Sequence, residues 1–207
     1  MTDKVDLRKE LDSYRVRRGE FRLLEVPELR YLTVDGHGDP NTDPSYTATL
    51  AALYPVAYTL KFASKRDLGR DYVVPPLEGL WWAQDLAAFT SARDKSLWDW
   101  TMMLLVPDWL PDDLVTGALA RVGVRRDRPA RLDDLRLQSL TEGRCLQTLH
   151  VGSFDDEGPV LHAMHHDVTP GHGLRPTGTH HEIYLSDPRR TSPDRQRTIL
   201  RQPVAPA

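Results

Sequence analysis

Polar and apolar residues alternate most cleanly near the C-terminal end of the chain. In residues 180–188, His180, Glu182, Tyr184 and Ser186 fall on one side of an extended backbone, and His181, Ile183 and Leu185 fall on the other. That pattern predicts a strand, ended by Asp187-Pro188 because proline has no backbone donor to continue a ladder. With Ile183 and Leu185 set against helices, Glu182 and Tyr184 are expected on the opposite face. An antiparallel strand with one wet face is the plainer account of the same alternation.

The same reading predicts strands over 29–34, 77–83, 97–106, 136–140, 145–151 and 198–204. Between the first two, Gly, Asp, Pro and Asn crowd residues 35–41 into a turn, and Asp43 or Ser45 can cap a helix over 46–62. Pro55 lies inside that helix and is expected to kink it or end its first part. A polar segment, 90–95, precedes the strand that Pro107 closes. Residues 112–122 read as a crossover helix. In the later part, Asp155, Asp156 and Glu157 favour a helix N-terminus, with Val160, Leu161, Met164 and Val168 as its apolar stripe. A Gly- and Pro-rich loop over 170–179 leads to the strand at 180.

The order strand, glycine turn, helix, strand, strand, proline occurs twice, over about 26–107 and 136–204, joined by a charged linker over about 124–135. The expected fold is α+β: duplicated strand-helix-strand-strand units forming one antiparallel sheet in a single domain, with helices on one face and a ligand cleft on the other.

Composition narrows the function. The 207 residues carry a net charge of −3 with Lys and Arg dispersed, which argues against direct nucleic-acid binding. Cys145 is the only cysteine, so no intramolecular disulfide can form, and a reducing cytoplasm is the natural compartment. Neither a membrane-spanning apolar run nor a signal pattern occurs, so no membrane partner is expected; residues 1–18 read as a charged, solvated, partly helical lead-in. His162, His165, His166, His180 and His181 invite a metal reading, but no ligand set with recognised spacing completes it, and neither a metal nor a cofactor is expected. Cys145 reads as a small buried thiol.

Several stretches resemble the GyrI-like small-molecule-binding family and its stand-alone members: Val26-Pro-Glu-Leu29, Asp35-Gly-His-Gly-Asp-Pro-Asn41, Leu53-Tyr54, Pro76-Leu-Glu-Gly-Leu-Trp-Trp82, His180 to Pro188, and Thr198-Ile-Leu-Arg201. The resemblance implies the duplicated fold above and a central cleft that binds flat aromatic or cationic compounds. Its relatives include effector-binding domains of multidrug-sensing regulators; no helix-turn-helix segment precedes the domain in this sequence. Stand-alone members similar to cyclopropanoid cyclopropyl hydrolases imply a sharper activity, opening of the cyclopropane ring of DNA-alkylating antibiotics. A non-catalytic sequestering or sensing module, or a gyrase-interacting protein, is the alternative, and a homodimer is compatible with either.

A cleft for flat ligands needs aromatic faces and, for cations, an acid. The candidates for ligand contact are Tyr54, Glu78, Trp81, Trp82, Trp100 and His150. Core filling is the preferred account of Trp100, which shares a face with Trp98, Met102 and Leu104. Trp81 and Trp82 must face opposite sides of their strand, so at least one lies in a cleft. Glu182 is the candidate base that activates water, Tyr184 the candidate donor or positioning group, and Glu78 the alternative acid.

Overall fold

The computed structural model describes residues 4–84 and 94–207; most of the polar segment 90–95 lies outside them. Among the described residues the fold is α+β, built on one antiparallel sheet. The strands are β1 (Arg22–Val26), β2 (Leu29–His37), β3 (Leu77–Trp82), β4 (Asp99–Val106), β5 (Arg136–Leu140), β6 (Gly143–Val151), β7 (Leu174–Pro176), β8 (His180–Tyr184) and β9 (Arg197–Pro206). Their spatial order is β1-β6-β9-β8-β3-β4-β2-β5, with β7 added to the far end of β9. The order is symmetric about the β3–β8 junction: β4 and β2 extend to one side, β9 and β6 to the other. β5, which the sequence reading places at the start of the second half, pairs with β2 of the first, and β1 pairs with β6.

One face of the sheet carries the long helices, and the short α1 (Leu7–Glu10) lies on the other. In α2 (Pro44–Asp67) Asp43 is the cap, its Oδ1 accepting from the Ser45 backbone N–H at 2.7 Å, and Pro44 occupies the first turn, where its missing donor costs nothing. The helix runs through Pro55 without ending. Leu53, Val56 and Leu60 of α2, together with Val115 and Val122 of α3 (Asp112–Gly123), pack on Leu32, Val34, Met102 and Leu104 of the sheet. Each fully buried leucine contributes roughly 1.5–3 kcal/mol.

The second half is covered by a shorter helical stretch on the same face. It begins as α4 (Gly158–His162), widens to a π-helix over Ala163–Val168 and closes with one turn over Thr169–Gly171. The Thr169 hydroxyl donates to the Met164 carbonyl at 2.6 Å inside the widened turn, and Met164 is buried against Leu146 and Leu200. The apolar stripe is the expected one; the extra residue of the π turn rotates the residues after it.

The opposite face is covered too, which corrects the reading of residues 1–18 as solvated. Residues 5–16 lie across it, burying Leu7 and Tyr14 against Tyr31, Met103, Leu105, Ile183 and Ile199. Leu7, Leu11 and Tyr14 follow the spacing of one apolar stripe, which is how this charged segment can still cover a core.

Candidate functional site

Alternation along β8 holds as expected, but the faces are reversed. Ile183 packs beneath residues 5–16, whereas His180, Glu182 and Tyr184 point to the face that carries the helices. The acid and phenol therefore do not occupy a cleft opposite the helices; they lie on the central strands between α2 and the π segment. Alternation divides a strand into two sets of side chains without saying which set the helices cover.

Register assembles the site around the β3–β8 junction. Gly79 stands opposite Glu182 and Trp81 opposite His180. The Trp81 Nε1–H donates to the Tyr184 hydroxyl at 2.9 Å, and that hydroxyl donates to Glu182 Oε2 at 2.9 Å. A Cβ on Gly79 would lie 2.2 Å from Met102 Cε, 2.8 Å from Trp81 Nε1 and 3.0 Å from the Tyr184 hydroxyl, so this hydrogen-bonded row passes over a residue that must lack a side chain. Phe154 meets Tyr184 edge-on at 5.5 Å, and Trp98 meets Trp81 in the same way at 5.8 Å. Burial first, then the Glu182 carboxylate, holds the Tyr184 phenol well above its ordinary pKa. The same two causes raise Tyr46, on the first turn of α2, which packs edge-on against Trp100.

Two histidines close the other side. His180 Nε2 lies 3.6 Å from Glu182 Oε1, outside hydrogen-bond reach, and both of its ring nitrogens are buried without a partner among the described residues. The ring of His165, in the π segment, is centred 6.3 Å from that of His180. Burial, then His180 and His166, push the His165 pKa down to about 4, so His165 is neutral at pH 7. No group of three or more metal-ligating side chains occurs among the described residues.

The remaining candidates are dispersed. Glu78 is not on the Glu182 face: its neighbour in register is Ile183, and it is 1% exposed beneath residues 5–16. There it accepts a short hydrogen bond from Tyr14 and pairs with His181 Nε2 at 2.9 Å; the His181 Nδ1 lies 3.0 Å from Glu142 Oε1, and Arg201 reaches Glu142 Oε2 at 2.7 Å. Burial would raise the Glu142 carboxyl, but His181 and Arg201 outweigh it and bring it down to about 2. Burial opposes charge on His181 as well, yet Glu142 and Glu78 raise its pKa. Trp100 is fully buried, fills the space above Gly36 and donates to the Gly38 carbonyl at 3.1 Å; it is core. Trp82 alternates to the face opposite Trp81 and is half-exposed. Tyr54 stands on α2 beside the Asp187–Arg189 loop. His150 is bound through Nε2 to the Ser153 carbonyl at 2.9 Å and lines a separate cavity of about 460 Å³ with Arg18, Phe21, Asp156 and Val160. The sequence reading missed Tyr46, Phe154 and the roles of His165 and His180; Tyr46 was visible as the aromatic two turns before Tyr54.

No helix among the described residues is long and apolar enough to cross a membrane. No curated protein matches the chain. The model of the GyrI-like small molecule binding domain matches residues 113–204. Among solved structures, an uncharacterized conserved protein from Listeria innocua is 36% identical with a TM-score of 0.88, the match covering 98% of this chain and 100% of that one. A protein described as a hydrolase, also from Listeria innocua, is 34% identical with a TM-score of 0.84 over the same shares. The EcmrR C-terminal domain, 11% identical over 91% of this chain and 98% of its own, has a TM-score of 0.55 and shares the fold. Sheet order, helix placement and these likenesses agree: the chain belongs to the GyrI-like small-molecule-binding family.

Proposed function

We propose that this protein binds flat aromatic compounds at the Glu182 site and hydrolyses those that carry a strained cyclopropane ring, protecting the cytoplasm against alkylating antibiotics. The observation that carries the reading is the row Trp81–Tyr184–Glu182, which fixes one carboxylate oxygen in aromatic surroundings. The hydrolase from Listeria innocua, at 34% identity, supports turnover rather than capture alone.

Glu182 takes a proton from water as the oxygen attacks the ring carbon. The cyclopropane C–C bond breaks, and its electron pair passes into the conjugated dienone, whose oxygen must then be protonated. Tyr184 cannot serve as that donor while its hydrogen is given to Glu182, so it positions the base. Tyr46 is the phenol that remains to hydrogen-bond that oxygen as it gains charge, since burial and Glu182 keep its own proton in place; the proton Glu182 took from water then passes through solvent to the oxygen and resets the base.

The test is incubation of less than one equivalent of protein with a cyclopropane-bearing alkylator, followed by mass spectrometry. Water added to several equivalents supports the reading, and Glu182→Gln then slows turnover by roughly 10²–10⁴-fold while binding persists. An unchanged compound that raises the melting temperature points to sequestration, the alternative that an acid among aromatic rings also serves.

A further inference from the structure

Glu182 and Tyr184 have fixed partners, but His180 beside them has none among the described residues. On β8 His180 stands one alternation before Glu182 and in register with Trp81, so its ring borders the same aromatic surface. A neutral imidazole carries one N–H donor and one lone pair, whichever tautomer is present. Both ring nitrogens of His180 are buried, and neither meets a partner among the described residues; Glu182 Oε1, 3.6 Å from Nε2, is too far to satisfy it. Leaving both groups unpaired opposes folding, and a phenylalanine would fill the place at lower cost. The facing element is irregular in the same place, because the π-helical stretch Ala163–Val168 carries His165 to within 6.3 Å of His180. Such widened turns are frequent at functional sites.

The electrostatics limit what the pair can hold. His165 stays uncharged at pH 7, since burial and its histidine neighbours lower its pKa to about 4. It therefore offers an anion no full positive charge, and Glu182, 3.6 Å from His180 Nε2, already takes the Tyr184 hydrogen. What suits a pair of imidazoles with ring nitrogens to spare is an oxygen that accepts from N–H or shares a hydroxyl.

Resting on the cleft reading above, we propose that His180 and His165 form the polar end of the cleft, hydrogen-bonding an uncharged carbonyl or hydroxyl oxygen of the ligand. The pair thereby selects neutral flat compounds over permanent cations of the same shape.

Two tricyclic probes separate the cases: 10-methylacridone, neutral with a carbonyl, and 10-methylacridinium, a cation without one. Titrated into the full chain and followed by fluorescence, the acridone is expected to bind roughly tenfold or more tightly than the acridinium, about one well-made hydrogen bond. His180→Phe should remove that preference by weakening the acridone alone, and should not lower the melting temperature. His165→Phe, on a different element, should weaken the acridone in the same sense. Preference for the cation, or acridone affinity unchanged in both variants, overturns the inference and leaves the cleft reading standing. Failure of both probes to bind while cyclopropane turnover persists also overturns it alone; failure of both together with absent turnover removes the cleft reading as well.

Discussion

The two faces of the sheet each set an acid on a central strand beside a phenol, and they treat it differently. Under residues 5–16, Glu78 accepts from Tyr14 and pairs with His181, which pairs with Glu142, which pairs with Arg201. Arg201 further donates to the Gln147 side chain at 3.1 Å and to the Ser13 carbonyl at 2.8 Å. Two acids meet two bases, and every member is less than 5% exposed. On the helix face Glu182 has Tyr184 and, among the described residues, nothing of opposite charge in hydrogen-bond reach, and His180 beside it has no partner there. A buried charge is tolerated when matched. The matched set therefore reads as a clamp holding the N-terminal segment, and the unmatched one as the place left for a ligand.

The widest separation between the faces should come from removing one base. Arg201→Met leaves Glu142 with a single cation and frees the Ser13 carbonyl, and is expected to lower stability by about 3–5 kcal/mol. Glu182→Gln should change it by no more than about 1 kcal/mol, since the amide oxygen can still accept from Tyr184. Urea unfolding of the two variants checks this, and equal losses would erase the distinction.

Acidity separates the faces next. Glu142 titrates near 2 in the folded protein against an ordinary 4.5, so its contribution is present above about pH 4.5 and drains as pH falls toward 2. His181 is shifted upward from 6.5, so its contribution is complete below about pH 6.5 and is lost as pH rises through the folded value. Together the two groups favour the interval between about 4.5 and 6.5. The urea midpoint should decline on the alkaline side of that interval in the wild type, and His181→Asn should flatten that decline. A slope that survives the substitution would assign it elsewhere.

Much of the fold was legible because its period was. The strand alternation of 180–185, the capped helix after Asp43 and the glycine turns follow from local chemistry. The site was legible only in part. Glu78 and Glu182 both read as acids on central strands, yet the pairing Glu78↔Ile183 sends them to opposite faces, and register between two strands so far apart in the chain leaves no local trace. Residues 5–16 looked solvated because their charges outnumber the few apolar positions that dock. The π turn that brings His165 to His180 depends on packing around Met164, and no periodic signal announces one additional residue.

Smaller changes probe the site itself. Gly79→Ala places a methyl group against the flexible Met102 end and against two less yielding atoms, Trp81 Nε1 and the Tyr184 hydroxyl. About 1–3 kcal/mol of overpacking is expected, together with a Tyr184 displaced from Glu182, so turnover should fall even where the fold survives. Near-native activity in a folded Gly79→Ala variant would show that the row need not pass so close to the backbone.

Tyr184→Phe should have a small effect on stability and the most informative effect on chemistry. It deletes one hydroxyl that both accepts from Trp81 and donates to Glu182, so two hydrogen bonds go at once. The net cost should nevertheless stay near 1–2 kcal/mol, because the Glu182 carboxylate is partly open to water and can be rehydrated. With Tyr184 as a positioning group, the variant keeps ligand affinity within about threefold and loses turnover, through a base no longer aimed. If the hydroxyl instead served the ligand directly, affinity would fall together with turnover.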